Sequence, residues 1–236
     1  MFRKSAHIYD AIYSKLDYPG QTERVHGLIQ DRSPGAKTLL DVACGTGLHL
    51  SHFRRWYEVE GLDLDPGMLA VARERLGKVP LHEADMSEFA LGRKFDVVTC
   101  LFSSIGYMQG TEMLDRAVLN MTNHLTPGGV LVVEPWITPD KFLTVEGGDY
   151  ISADFVDEPE LKIARMGRSH VEDRTSVLDM HYLVNTPRDL NSFTETHRLY
   201  LFTDEDYRTA FERAGLKVHH DPVGLLGRGL LIGVAG

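Results

Sequence analysis

Hydrophobic and polar positions divide the chain into two grammars. From Thr38 to Glu134, short apolar runs alternate with segments whose apolar residues recur at helical spacing. The runs Thr38 to Cys44, Tyr57 to Leu64, Val79 to Ala84, Phe95 to Phe102 and Val130 to Glu134 predict five strands. Helices are expected between them. Asp65-Pro66 offers a cap and a first helical position, and Leu114, Ala117, Val118, Met121 and Leu125 form one stripe. Val97, Val98, Cys100 and Leu101 crowd the fourth run, which reads as buried on both faces. Strand, helix, strand repeated in this way predicts a parallel sheet covered on both sides.

Two stretches flank this unit. Ile8, Tyr9, Ile12, Tyr13 and Leu16 fit one helical face, and a second amphipathic helix is expected from Gln21 to Arg32. Tyr9 and Tyr18 carry hydroxyls that could close over a ligand. From Trp136 to Phe202 the period changes to two, over Leu161 to Met166, Val177 to Val184 and Phe193 to Phe202. That change predicts an antiparallel sheet inserted after the fifth strand. Thr203 to Asp206 caps a last helix reaching Ala214, and two strands, Leu216 to His220 and Gly229 to Val234, close the sheet as a hairpin. The expected division is a core of residues 1–136 and 203–236 with an insert of 137–202.

Composition narrows the partners. The net charge of −9 contains no Lys/Arg cluster, which argues against nucleic acid and anionic membranes. Two cysteines, Cys44 and Cys100, lie in apolar runs, so neither a disulfide scaffold nor a metal site is expected. The N-terminus MFRKSAHIYD lacks a signal-peptide stretch and no run matches a membrane span, so a soluble cytoplasmic protein is expected.

The chemistry is signalled first by Asp41-Val42-Ala43-Cys44-Gly45-Thr46-Gly47, an apolar strand ending in a small-residue turn before a helix. Such a turn lets a ligand reach backbone N–H groups. Dinucleotides and S-adenosylmethionine both use one. The dinucleotide fingerprint wants a third glycine or alanine where this chain has Leu50, which lowers the nicotinamide oxidoreductase reading. Asp63, near the end of the second strand, is placed for ribose hydroxyls. Asp65 is explained as a cap. Asp85, past the third strand, could accept from an adenine amino group.

Together DVACGTG, GLDLDPGML, EADM, FDVVTCLFSSIGY and LTPGGVLVVEPW resemble the successive motifs of class I S-adenosylmethionine-dependent methyltransferases. The resemblance implies a Rossmann-like α/β fold, a seven-stranded mostly parallel sheet with helices on both faces and a last antiparallel strand. It implies that Ala43, Gly45 and Gly47 contact the methionine part of S-adenosylmethionine and that Asp41 braces the turn. Asp63 would bind the ribose, Asp85 and Met86 the adenine, while Leu101, Phe102 and Ser103 would flank the sulfonium. VTCLFSSIGY, VVEPWITPDKF, MHYLV, ETHRLYLFT and GRGL further resemble the N,N-dimethyltransferases acting on dTDP-3-amino-deoxyhexoses in antibiotic sugar pathways. In that group the insert also contributes to dimerisation, so a homodimer is implied. Two departures stand out: Trp136 is followed by Ile137 instead of a second tryptophan, and Leu226 replaces the serine before GRGL.

For such a substrate Arg228, between two glycines, is the expected diphosphate ligand. Trp136 could stack on the base or sugar, and Tyr107 is the expected orienting group or weak proton acceptor for the amine. Arg168, His197 and Arg198 rank lower, because alternate residues of an antiparallel sheet face water. His49 and His52 are expected on a solvated helix face. The competing readings are a methyltransferase of the same fold acting on another small amine or hydroxyl and, ranked below it, a nicotinamide-dependent oxidoreductase or a non-catalytic cofactor-binding protein.

Overall fold

A computed structural model of the protein describes residues 4–142 and 150–236. After a single 3₁₀ turn, Ala6–Ile8, come α1 (Tyr9–Ile12) and α2 (Tyr18–Gln30). The alternating unit follows as β1 (Thr38–Val42), α3 (Leu48–Phe53), β2 (Glu58–Asp63), α4 (Pro66–Leu76), β3 (Leu81–Glu83), β4 (Phe95–Cys100), α5 (Thr111–Asn123) and β5 (Leu125–Val133). A short α6 (Pro139–Phe142) leads to four long strands, β6 (Tyr150–Glu158), β7 (Leu161–Glu172), β8 (Thr175–Asn185) and β9 (Leu190–Tyr200). The chain ends with α7 (Asp204–Arg213), β10 (Leu216–Asp221) and β11 (Leu230–Ala235).

Seven strands form one sheet in the order β10-β11-β5-β4-β1-β2-β3, with β11 antiparallel to β5. Residue alternation along these strands splits the core in two. Leu40, Val42, Val98, Cys100, Leu131 and Val133 face α5 and α7, whereas Leu39, Val97, Val130 and Val132 face α2, α3 and α4. The expected fold is therefore observed. Strand order reverses between β1 and β4, and an open α/β sheet binds its ligands at the carboxyl ends on either side of such a reversal. The second sheet, β6-β7-β8-β9, is wholly antiparallel and stands beyond those carboxyl ends.

Several boundaries differ from the sequence reading, each for a local reason. The first helix is one turn long, because Asp17 caps α2 by accepting from Gly20 N and Pro19 sits in its first turn. β4 stops at Cys100, since Phe102 and Ser103 both take left-handed backbone at φ +54° and +61°. Leu125 pairs with Phe95 instead of ending the helical stripe, and Thr126 to Gly129 bulge out before pairing resumes at Val130. The insert holds four strands; β6 was not expected. Among the described residues no helix is long and apolar enough to cross a membrane.

Candidate active site

The glycine turn carries its tension in the backbone. Ala43, Gly45 and Gly47 all adopt positive φ, at +58°, +55° and +76°. Only glycine does this without a Cβ penalty, so Ala43 marks a strained position held by its surroundings. Gly45 N donates to Asp63 Oδ2 at 2.8 Å, and Asp65 N donates to Asp63 Oδ1 at 2.8 Å. Asp63 thus ties the turn after β1 to the turn after β2. Asp65 caps α4 through Oδ1, as expected, but its Oδ2 is buried without a hydrogen-bond partner. Asp41 Oδ1 accepts from Thr99 Oγ1 at 2.7 Å, across to β4, and burial pushes its carboxyl up to about 7.

A cavity of about 410 Å³ opens over these turns and runs to the inner face of the second sheet. Of the residues expected to act, Tyr9, Tyr18, Asp41, Ala43, Gly45, Asp63, Asp85, Met86, Leu101, Phe102, Ser103, Tyr107, Trp136 and Arg228 all line it. Gly47 does not. A Cβ there would stand 2.7 Å from Leu76 Cδ1, so this glycine serves the contact between its turn and α4. At Gly45 an added Cβ would meet nothing within 4 Å, and that open space belongs to the cavity.

The floor near β4 is a second strained turn. Phe102 N donates to Glu134 Oε2 at 2.8 Å, and Ser103 Oγ donates to the Pro135 carbonyl at 2.7 Å. Arg228 Nη1 donates to Ser103 Oγ at 2.7 Å while its guanidinium lies 4.7 Å from the Trp136 ring centroid. The Trp136 indole N–H in turn donates to Ser176 Oγ on β8 at 2.8 Å. A roof of aromatic rings crosses above: Tyr9 and Tyr13 lie 4.6 Å apart, and Tyr13 meets Phe102 edge-on at 5.1 Å. Asp10, on the same short helix, is bound by Thr46 Oγ1 at 2.6 Å and by Arg75, which pins the roof to the glycine turn.

Five further residues of this cavity were missed as site residues or misplaced. His49 is buried, not solvated: α2 covers it, Gln21 Oε1 meets its Nε2 at 3.0 Å, and burial lowers it to about 4. His197 faces inward from β9 with only 4% exposure, since odd residues of that strand turn to the cavity. Its Nδ1 lies 2.9 Å from the Tyr107 hydroxyl. Arg165 on β7 binds Asp154 Oδ2 through Nε and Nη2, and the Tyr13 hydroxyl through Nη1 at 2.9 Å. Tyr13 sits at helical spacing from Tyr9, and that signal could have found it. For His197, Arg165 and Asp154 the faces depend on strand register, which alternation alone does not reveal.

Comparison with known proteins places this geometry. A methyltransferase-domain family model matches residues 39–129. The chain is 42% identical over 232 residues to the dTDP-4-amino-2,3,4,6-tetradeoxy-D-glucose N,N-dimethyltransferase of Saccharopolyspora spinosa, covering 97% of this chain and 92% of the relative. It is 41% identical to the dTDP-3-amino-3,4,6-trideoxy-alpha-D-glucopyranose N,N-dimethyltransferase of Streptomyces venezuelae, covering 97% of each. The chain belongs to the dTDP-aminosugar N,N-dimethyltransferase family. Its fold superposes with a TM-score of 0.87 on S-adenosylmethionine-bound CalS10, an amino pentose methyltransferase from Micromonospora echinaspora, at 38% identity and 97% coverage of both chains. This methyltransferase uses S-adenosylmethionine, and its cavity suits that cofactor. The open space at Gly45 admits the ligand to the turn, and the unpartnered Asp65 Oδ2 beside Asp63 waits for a donor such as a ribose hydroxyl.

Proposed function

We propose that the methyltransferase transfers methyl groups from S-adenosylmethionine to the amino group of a dTDP-linked amino-deoxysugar, ending at the N,N-dimethylamine. Arg228 carries this reading. Its guanidinium sits in the cavity on the Ser103 hydroxyl and the Trp136 face, where a diphosphate can take its remaining donors bidentately. Positive φ at Gly227 and Gly229, +75° and +85°, gives the tight loop that turns it inward.

Bound S-adenosylmethionine supplies an electrophilic methyl on sulfur. The chain's own task is position and dryness. Ala43, Gly45, Asp63, Asp85 and Met86 are proposed to hold the cofactor, with Asp41 stiffening β1 against β4 through Thr99. Leu101, Phe102 and Ser103, with Phe102 under the rings of Tyr9 and Tyr13, exclude water from the transfer zone. Tyr107 is proposed to orient the acceptor amine. The acceptor amine must enter neutral, because an ammonium has no lone pair with which to attack the methyl. Trp136 supports Arg228 and closes that end of the chamber.

The insert, residues 137–202, is proposed to do two things. Its inner face walls the acceptor chamber. Its outer face carries Ile151, Phe155, Met166 and Leu183 at 79%, 64%, 54% and 48% exposure, and this apolar patch supports a homodimer. Two buried thiols, Cys44 and Cys100, and the net charge of −9 agree with a cytoplasmic enzyme of small metabolites that leaves nucleic acid alone.

The test is direct. Wild-type enzyme with S-adenosylmethionine and dTDP-linked 3-amino and 4-amino deoxysugars should give mono- and then dimethylated products by mass spectrometry. Arg228→Ala should raise KM for the sugar nucleotide at least about tenfold and leave S-adenosylhomocysteine binding unchanged. Transfer to free amines but to no dTDP-aminosugar would overturn the acceptor assignment.

A further inference from the structure

Strand β9 presents an inward row, Glu195, His197 and Leu199, toward the cavity and the segments that frame it. Glu195 accepts from Lys4 N at 2.8 Å and from Ser5 Oγ at 2.6 Å, holding the start of the roof. Leu199 packs on Gly106, where an added Cβ would stand 3.1 Å from Leu199 Cδ2 and 3.0 Å from Trp136 Cβ. That close approach seats the next residue, Tyr107, against the strand. Its hydroxyl lies 2.9 Å from His197 Nδ1, with the rings edge to face at 6.2 Å. Both side chains line the cavity.

We propose that His197 is a positioning residue for methyl transfer: its Nδ1 accepts the Tyr107 proton, leaving the hydroxyl oxygen to accept an N–H from the acceptor amine. The assignment rests on the aminosugar reading above. A phenol free to rotate can donate its proton to the amine, and that hydrogen bond occupies the lone pair that must attack the methyl. With its proton committed to His197, Tyr107 can only accept. The amine then gives an N–H to Tyr107 and turns its lone pair elsewhere, toward the methyl donor. No proton changes hands at this pair, and the product ammonium loses its proton to water.

Burial supports the required protonation states. It lowers His197 from 6.5 to about 4, against the opposing pull of Glu195, so the ring stays neutral and keeps a lone pair. It raises Tyr107 well above its ordinary 10, so the phenol keeps its proton. The neighbouring acidic and basic side chains therefore meet a neutral pair across the working range.

Two measurements test the proposal. Long-range ¹⁵N–¹H spectra of the full-length enzyme should show His197 protonated at Nε2 and bare at Nδ1, with both signals shifted in Tyr107→Phe. A proton on Nδ1 overturns the proposal, whatever the acceptor proves to be. In turnover, Tyr107→Phe and His197→Phe should each lower kcat about tenfold, and the double variant should fall no further than the worse single one. KM for S-adenosylmethionine should stay within about twofold in all three. His197→Asn, whose amide oxygen can stand near the Nδ1 position, should restore most of the loss. Wild-type kcat in His197→Phe, or independent losses multiplying to about a hundredfold, would also overturn it. Should His197→Phe fail to fold, the tautomer in wild type and the kcat of His197→Asn decide. Failure of the wild type on every dTDP-aminosugar would strike the acceptor reading alone.

Discussion

The Asp41 carboxyl is 2% exposed, and the Thr99 hydroxyl is the donor that meets its Oδ1. Burial lifts it from an ordinary 3.8 to about 7, with Thr99 pulling the other way. A folded value above the unfolded one means favourable protonation at low pH, lost as pH rises through 7. The ligand-free enzyme should therefore be destabilised by this group at pH 8.5 and unaffected by it at pH 3. Asp41→Asn should raise the thermal midpoint on the order of 5 °C at pH 8.5, with the gain shrinking steadily toward pH 4. Calorimetry across that range checks it, and a pH-independent difference would refute the burial argument. At this scale the sequence was informative where side-chain chemistry meets strand ends. Asp63, Asp85 and Arg228 could be picked out as cavity residues because each stands beside a turn that the pattern itself marks. His49 could not, because Gln21 of α2, which meets it, lies 28 residues before it and that packing leaves no local trace.

Among the elements, the turn from β1 to α3 separates two uses of glycine. Gly45 faces open cavity, so Gly45→Ala should cost about 1 kcal/mol of stability for its positive φ and weaken S-adenosylhomocysteine binding at least tenfold. Gly47 packs on α4, so Gly47→Ala should lower stability by about 1–3 kcal/mol and remain the more damaging for folding. Denaturant titration and calorimetric binding distinguish the two; equal loss of binding at equal stability would refute the division. The sequence marked both glycines alike, since their difference lies in what stands opposite, which only α4 supplies. Strands buried on both faces were legible by their apolar density. β6 was not: an edge strand with polar residues such as Ser152, Asp154 and Asp157 along it shows no strong alternation. The end of β4 was overrun by two residues for a related reason. Leu101 is apolar because it is part of the core, and Phe102 because it lines the cavity, yet neither continues the ladder.

On the scale of the whole molecule, the two sheets face each other across one cavity that residues of both line. Side chains far apart in sequence tie the second sheet to the rest of the chain, such as the bond from Ser5 to Glu195 across 190 residues. The outer face of the second sheet pairs Ala153 with Met166 and Phe155 with Ala164, and Ala164 in turn with Leu183. A dimer through this patch should dissociate in Phe155→Glu, giving half the mass by light scattering while S-adenosylhomocysteine binding persists. A monomeric wild type would remove the patch as an interface. The parallel sheet was readable from its repeating grammar, and the insert from the change of period. How the insert folds back over the carboxyl ends was not readable, because that contact is made by single residues on alternate strand positions.

Gly106 bears on breadth of substrate as well as on Tyr107. Because no methyl stands between the Ser104–Tyr107 turn and Leu199, the two walls of the proposed acceptor chamber close directly on each other, and a Cβ added at Gly106 would stand only 3.1 Å from Leu199 Cδ2. The gauge of that chamber is set by a missing carbon. An alanine there would spread the walls by a few tenths of an ångström, and chain and strand would have to share the displacement. A site gauged so tightly should discriminate between sugars that differ by one axial or equatorial group, and loosening it is the smallest change by which this scaffold could come to accept a bulkier amine.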